Sequence, residues 1–404
     1  LRSDSVLDLL GAVTAIDMLF VGLGTRALSS GGSPLLSHCR ARLLEDQNLA
    51  STPAVWGLVV PSASGWDVAE SLPRHLNSLC HIPVLDEAAV RYQQVRSAMP
   101  LRPTPGEPLK VGFVALVQGH QELSWVFGQD KQGAPVYSVT PDSAWMGVLE
   151  TRLMGSLEKL ADHADLIVLP ELVANEAIFR MATDWLRRRV QANQSAPSAI
   201  LAGTWWRAPA ATEPARNEAL LIVAAQDMEV RQYKLNPYTL VHDHHAPLSL
   251  PGADPRLDYA EDIGCKPPLV ELVDIPGLGR VAIQICEDLG KDHPWVAVLR
   301  HAGPKVVLCP VMNGPDKDQW DWIVRAGIDR ANGLGSTVIV VNSGTMIPAS
   351  GRTVEQFARG YLPKRSPTLH RFKGVAGLEW DVDGDGLVDC WVLAGSAPHL
   401  GTMQ

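Results

Sequence analysis

The sequence predicts an α/β fold preceded by a mainly helical N-terminal extension, and three observations lead there. From Leu109 onward, short apolar runs alternate with longer stretches of helical periodicity, the pattern of a layered α/β protein. Just before that point, Pro100, Pro103, Pro105 and Pro108 form a stretch that cannot be helix and marks a boundary. The first hundred residues carry apolar positions at helical spacing in Val6–Phe20 and Val68–Leu79, with a strand expected at Ala54–Val60. Residues 1–104 are therefore read as extension and linker, and residues 105–404 as the α/β domain.

Within that domain the expected strands are Val111–Val117, Leu166–Leu169, Ala199–Ala202, Ala219–Ala224, Val230–Tyr233, Arg280–Ile285, Val306–Leu308 and Thr337–Val341. Each is too short for a helix, and most are apolar throughout, as strands covered on both faces are. Helices are expected at Trp145–Ala161, Glu176–Gln191, Trp295–Ala302 and Gln319–Ala331.

The whole chain narrows the function classes. Its 404 residues suit one large domain plus an extension, and 46% hydrophobic with 20% charged residues is ordinary for a folded protein. A net charge of −9, with no Lys/Arg-rich block, argues against nucleic acid or anionic membrane as a partner. Six cysteines without a CxxC pair point to reduced thiols and a cytoplasmic setting. Leu10–Gly24 is interrupted by Asp17 and falls short of the ~20 residues a spanning helix needs, so it reads as a buried helix. The first residue, Leu1, leaves open that the chain is a processed product or a piece of something longer.

Three segments carry chemistry. In Arg280–Asp288 (RVAIQICED) an apolar run ends in Cys286 followed by two carboxylates. In Asp165–Leu172 (DLIVLPEL) a run is stopped by Pro170, with Glu171 next, and in Met228–Pro237 (MEVRQYKLNP) Lys234 precedes a Pro-containing turn. Strand ends are where open α/β sheets gather reactive groups. A lone cysteine there is more often an inert buried thiol, and Glu171 with Lys234 could be an ordinary ion pair. Taken together, a thiol, an ammonium and a carboxylate make a set for acyl transfer.

These segments resemble the nitrilase, or carbon–nitrogen hydrolase, superfamily over about residues 109–345. The likeness runs in order through Lys110–Val117, LIVLPEL around Glu171, Asn217 in RNEALLIV, YKLNP around Lys234 and QICEDL around Cys286. It continues through LCPVMN at Leu308–Asn313, DRAN at Asp329–Asn332 and VVNSG at Val340–Gly344. The resemblance implies an αββα four-layer sandwich formed when two domains pair sheet to sheet, a homo-oligomer, and no cofactor. It carries the family's glutamate, lysine and cysteine onto Glu171, Lys234 and Cys286. The Lys234 ammonium would favour a Cys286 thiolate, Glu171 would take and return protons, and Lys234 with the backbone N–H of Glu287 would hold the oxyanion. Asn217, His242, Asp243 and Asn313 complete the expected pocket, with a small-molecule amide or nitrile as substrate, amide before nitrile.

Two departures accompany the likeness. Many members carry a second glutamate soon after the lysine, but KLNPYTLVHDHHAP has none, and the next is Glu261. His242, Asp243 or His244 could stand in, or the role could be lost. In the second case the chain is a catalytically weak sensing or scaffolding module of a larger assembly, with a fused domain upstream. A third reading, a metal hydrolase on His242, His244 and His245, lacks a helical HExxH spacing. The tail DVDGDGLVD places Asp381, Asp383, Asp385 and Asp389 like the start of a calcium loop, without its later glutamate; the competing reading is a hairpin of Leu378–Val382 with Leu387–Leu393.

Overall fold

In a computed structural model, the structure describes residues 58–61, 79–82, 89–95, 101–103, 109–361 and 387–393, with breaks at 211–213, 226–227, 249, 265–267, 315–316 and 347–356. Three strands precede the Pro-rich stretch, β1 (Leu58–Pro61), β2 (Leu79–Ile82) and β3 (Ala89–Gln94). Then come β4 (Leu109–Ala115), β5 (Leu123–Gln129), β6 (Pro135–Pro141), α1 (Met146–Leu160), β7 (Leu166–Val168) and α2 (Glu176–Gln191). Next are β8 (Ala199–Arg207), β9 (Arg216–Val223), β10 (Met228–Tyr233), β11 (Thr239–Leu240), α3 (His242–His245) and β12 (Tyr259–Glu261). The remaining elements are β13 (Leu269–Ile275), β14 (Gly279–Ile283), α4 (Trp295–Ala302), β15 (Val306–Val311), α5 (Lys317–Leu334), β16 (Thr337–Asn342), β17 (Ala358–Tyr361) and β18 (Leu387–Leu393).

Two six-stranded sheets dominate, in the orders β10-β9-β8-β7-β4-β18 and β17-β16-β15-β14-β13-β3. Strand periodicity explains how the first is covered. Val111, Phe113, Leu166, Val168, Leu201 and Leu221 point into a core that also holds Val281, Ile283, Val307 and Val341 of the second sheet. Their neighbours Val114, Ile167, Ile200 and Ile222 point the other way, onto Leu149, Leu153 and Leu157 of α1 and Ile178 and Phe179 of α2. Trp295, Val298 and Leu299 of α4 pack with the second sheet in the shared core.

The helices and most strands fall where the sequence puts them. Asn175 starts α2 by accepting the backbone N–H of Ile178 at 3.0 Å. Gly303, left-handed at φ 57°, ends α4.

Several expectations need correction. The resemblance implied sheets joined by pairing of two domains; here both sheets belong to one chain and share one core. The helices expected at Val6–Phe20 and Val68–Leu79 lie outside the described residues apart from Leu79, which begins β2. What is described before residue 95 is strand. β3 runs parallel to β13 in register from Ala89↔Leu269 to Gln94↔Asp274. The boundary expected at 104 therefore divides a chain whose two sides share a sheet. β18 pairs antiparallel with β4, Leu387 opposite Ala115; Leu378–Val382, its expected hairpin partner, lies outside the described residues.

Charged groups tie the earlier segment to the sheet. Arg280 on β14, fully buried, reaches Asp274 at 2.8 and 3.0 Å and the carbonyl of Ala302 at 2.5 Å. Its guanidinium lies 5.2 Å from the ring of Tyr92 in β3, whose hydroxyl donates to Asp274 at 2.7 Å. Arg102, in the linker, donates to the carbonyls of Ala161, Ala164 and Ala196 at 3.0, 3.0 and 2.9 Å.

Candidate active site

Four strand exits from the two sheets converge. Glu171 follows β7 after Pro170, Lys234 follows β10, Cys286 lies three residues beyond β14, and Met312 and Asn313 follow β15. The exits are stitched together by the backbone N–H of Met312, which donates to Glu171 Oε2 at 3.1 Å. Gly203 on β8, at φ 79°, lets the chain pass where an added Cβ would sit 2.6 Å from the carbonyl oxygen of Pro170.

Glu171, Lys234 and Cys286, remote in sequence, meet. Lys234 Nζ donates to Glu171 Oε1 at 2.7 Å, and the charges of both groups act on the Cys286 thiol. Cys286 is 3% exposed and adopts φ 49°, at the start of a short 3-10 turn over Cys286–Gly290. A non-glycine residue held left-handed stores backbone strain, and such strain concentrates at functional turns.

Lys234 has a second anionic partner. Glu261, at the end of β12, accepts from Nζ at 2.5 Å, and also from the backbone N–H of Tyr238 at 3.2 Å. Asn217, fully buried, donates one amide hydrogen to Glu171 at 3.0 Å and the other to Glu261 at 2.8 Å. Both donors are thus spent on the two carboxylates.

Burial sets the electrostatics. It would lower the Lys234 pKa, but Glu171 and Glu261 more than compensate and hold the ammonium charged. Burial pushes the Glu171 carboxyl up, against the pull of Lys234. Burial and then the Glu171 charge push the Cys286 thiol up, and outweigh Lys234. The pull of Lys234 toward a thiolate is thus opposed by burial and by the Glu171 charge.

The turn carrying Cys286 is held from below. Arg330, from DRAN in α5, donates to the carbonyls of Leu289 and Lys291 at 2.8 and 2.6 Å, and Gln284 donates to the Asp288 carbonyl at 3.1 Å. The Asp288 side chain accepts from the backbone of Leu235 and Asn236 on the lysine segment. The Glu287 side chain turns to Lys291 at 2.7 Å. Asn313 is buried and fixed to Asn342 by a pair of hydrogen bonds, 2.8 Å through its N–H and 3.1 Å through its carbonyl.

His242 and Asp243 do not join the cluster. Both side chains are exposed, 51% and 83%, and His242 pairs with Asp258 at 3.0 Å. The imidazoles of α3 diverge: His244 Nδ1 bonds the Tyr238 hydroxyl at 2.9 Å, while buried His245 reaches the Leu257 carbonyl at 2.8 Å. They do not form a metal set, and among the described residues no group of three His, Cys, Asp or Glu is arranged to hold a metal. Asp389 lies in β18 opposite Phe113, and Asp381, Asp383 and Asp385 lie outside the described residues. No described helix is long and apolar enough to cross a membrane.

Sequence reasoning missed Glu261 as a site residue because it was sought close behind Lys234. A longer loop, holding α3, separates them, and β12 brings the glutamate back. Its one sequence signal was being the next glutamate after Lys234.

No family model matches the chain, and no curated protein does. Solved structures similar to it include members of the CN-hydrolase, or nitrilase, superfamily. One is a CN-hydrolase superfamily protein of Xanthomonas campestris with an arsenic adduct in its active site, at 17% identity and TM-score 0.39, covering 72% of this chain and 94% of that one. Saccharomyces cerevisiae Nit3, of branch 10 of the nitrilase superfamily, has 11% identity and TM-score 0.38, covering 72% and 91%. A glutamine-dependent NAD+ synthetase of Cytophaga hutchinsonii has 12% identity and TM-score 0.34, covering 58% of this chain and 36% of that one. At these scores the likeness decides nothing further.

Proposed function

We propose that the protein is a thiol-dependent hydrolase of nonpeptide carbon–nitrogen bonds, amides before nitriles, in an αββα four-layer arrangement. The observation that supports this best is the burial of Cys286 beside the Lys234–Glu171 ion pair, whose two charges act on its thiol.

The chemistry follows from those positions. Glu171 takes the thiol proton as the sulfur attacks the amide carbon, so charge moves onto the carbonyl oxygen rather than accumulating on resting sulfur. Lys234 and the backbone N–H of Glu287 hold that oxyanion. The proton on Glu171 passes to the departing amine as the carbon–nitrogen bond breaks, leaving a thioester. Water then gives a proton to Glu171, attacks the thioester, and the carboxylic acid leaves as the sulfur regains its proton. Glu261 keeps Lys234 charged and aimed throughout. Amides are favoured because Glu171 can protonate an amine leaving group.

The reading of the chain as a catalytically weak module drew on a missing second glutamate; Glu261 on Lys234 removes that support. The test is alkylation by iodoacetamide alongside turnover of a panel of small amides. Fast, pH-dependent labelling at Cys286, lost with the activity in Cys286→Ala, is expected. Uniformly slow labelling of all six thiols with no turnover overturns the proposal.

A further inference from the structure

One buried carboxylate in this region is not used by the proposed chemistry. Asp288 is fully buried, two residues after the nucleophile, and its side chain bonds the segment that follows Lys234. Its oxygens collect N–H groups from both sides. Leu235 N–H lies 3.2 Å from each oxygen, Asn236 donates through its backbone at 2.9 Å and its side chain at 2.8 Å, and Ile285 N–H lies at 3.4 Å. Leu235 and Asn236 directly follow Lys234, and Ile285 directly precedes Cys286. The two segments leave different sheets, β10 in the first and β14 in the second, and no backbone pairing joins them at this point.

We propose that Asp288 is a positioning residue that fixes the distance between the Lys234 ammonium and the Cys286 sulfur by clamping their two backbone segments together. The inference rests on the functional reading above. A carboxylate suits the task because it accepts several N–H bonds at once, and charged acceptors make the stronger ones. Asparagine in its place would turn an NH2 group toward N–H donors and lose part of the clamp.

The experiment compares Asp288→Asn with the unmodified protein in the full chain, reading the pH profile of Cys286 alkylation by iodoacetamide, turnover per folded molecule, and melting temperature. With Lys234 displaced, thiolate formation is less favoured. The alkylation rate on the rising limb of the profile is expected to fall on the order of 3–10-fold, with kcat lowered and KM little changed. A lowered melting temperature with an unmoved alkylation profile and unchanged turnover would reduce Asp288 to a structural part and overturn the proposal. If Asp288→Asn does not fold, Asn236→Ala removes one donor from the same carboxylate, and a smaller shift in the same direction is expected; an unmoved profile overturns it there too. If Cys286→Ala labels like the unmodified protein, the functional reading itself has failed, which is a different outcome from a profile that Asp288→Asn leaves in place.

Discussion

Glu261 and Lys234 touch at 2.5 Å although they stand 27 positions apart, with a helix-bearing loop between them. The ammonium is thereby held between two carboxylates, Glu171 on one side and Glu261 on the other. The arrangement is one cation against two anions at a site nearly sealed from water. Its charge count must be kept for the site to hold its shape.

Removing the cation should therefore be costly. Lys234→Ala leaves Glu171 and Glu261 buried and facing each other, and breaking a buried ion pair typically costs ~3–5 kcal/mol. Denaturant unfolding of Lys234→Ala against the unmodified protein reads this, and a loss under ~1 kcal/mol would mean that the carboxylates reorganise freely.

Replacing Glu261 separates positioning from proton transfer. Glu261→Gln keeps the shape and a hydrogen bond but removes one charge from Lys234. Turnover of the best amide substrate is expected to fall about 10–100-fold while the protein stays folded by circular dichroism. An unchanged kcat would mean that Glu171 alone suffices to hold the lysine.

Gly203 guards the approach of Glu171. Alanine there meets both a left-handed backbone and the Pro170 carbonyl 2.6 Å from the new Cβ. Gly203→Ala should lower stability by ~1–3 kcal/mol and, by pushing the residue before Glu171, reduce turnover more than a core substitution of equal stability cost. Equal effects on turnover would show that the displacement is not passed on.

Glu271 gives a pH dependence away from the candidate site. Burial raises its carboxyl from the ordinary 4.5 to about 7, against the pull of Arg91. The folded state thus binds a proton that the unfolded state releases between those values. The stability from this group is fully present below 4.5 and is lost as pH rises through about 7. Glu271→Gln removes that slope, so between pH 4.5 and 8 the variant should gain on the unmodified protein by up to ~3 kcal/mol, read by urea unfolding at a series of pH values. Parallel curves would contradict it.

Much of the fold was legible because buried strands and helices announce themselves by periodicity. Glu176–Gln191 and Trp295–Ala302 fall where expected, since an N-cap at Asn175 and a left-handed Gly303 mark their ends chemically. β13 was not read, because LVELVDI breaks its apolar run with Glu271 and Asp274, whose partners Arg91 and Arg280 lie elsewhere in the chain. The hairpin of β5 and β6 was also missed: Val126 is exposed in β5 while Ser138 is buried in β6, so neither strand alternates cleanly between apolar and polar. In the candidate site, residues at strand exits were readable one by one. The contact between Glu261 and Lys234 depends on how a loop folds back, and local pattern carries no information about that.

β3 bears on how this protein can be cut down for study. A fragment starting at residue 105 looks tidy on paper, yet it would strip away Tyr92 and an outermost ribbon, leaving the hydrogen-bonding rim of β13 bare and half of the Arg280 knot untied. Naked rims recruit other chains, so such a fragment invites clumping in the tube. A shortened version meant for crystals or assays should begin upstream of Ala89.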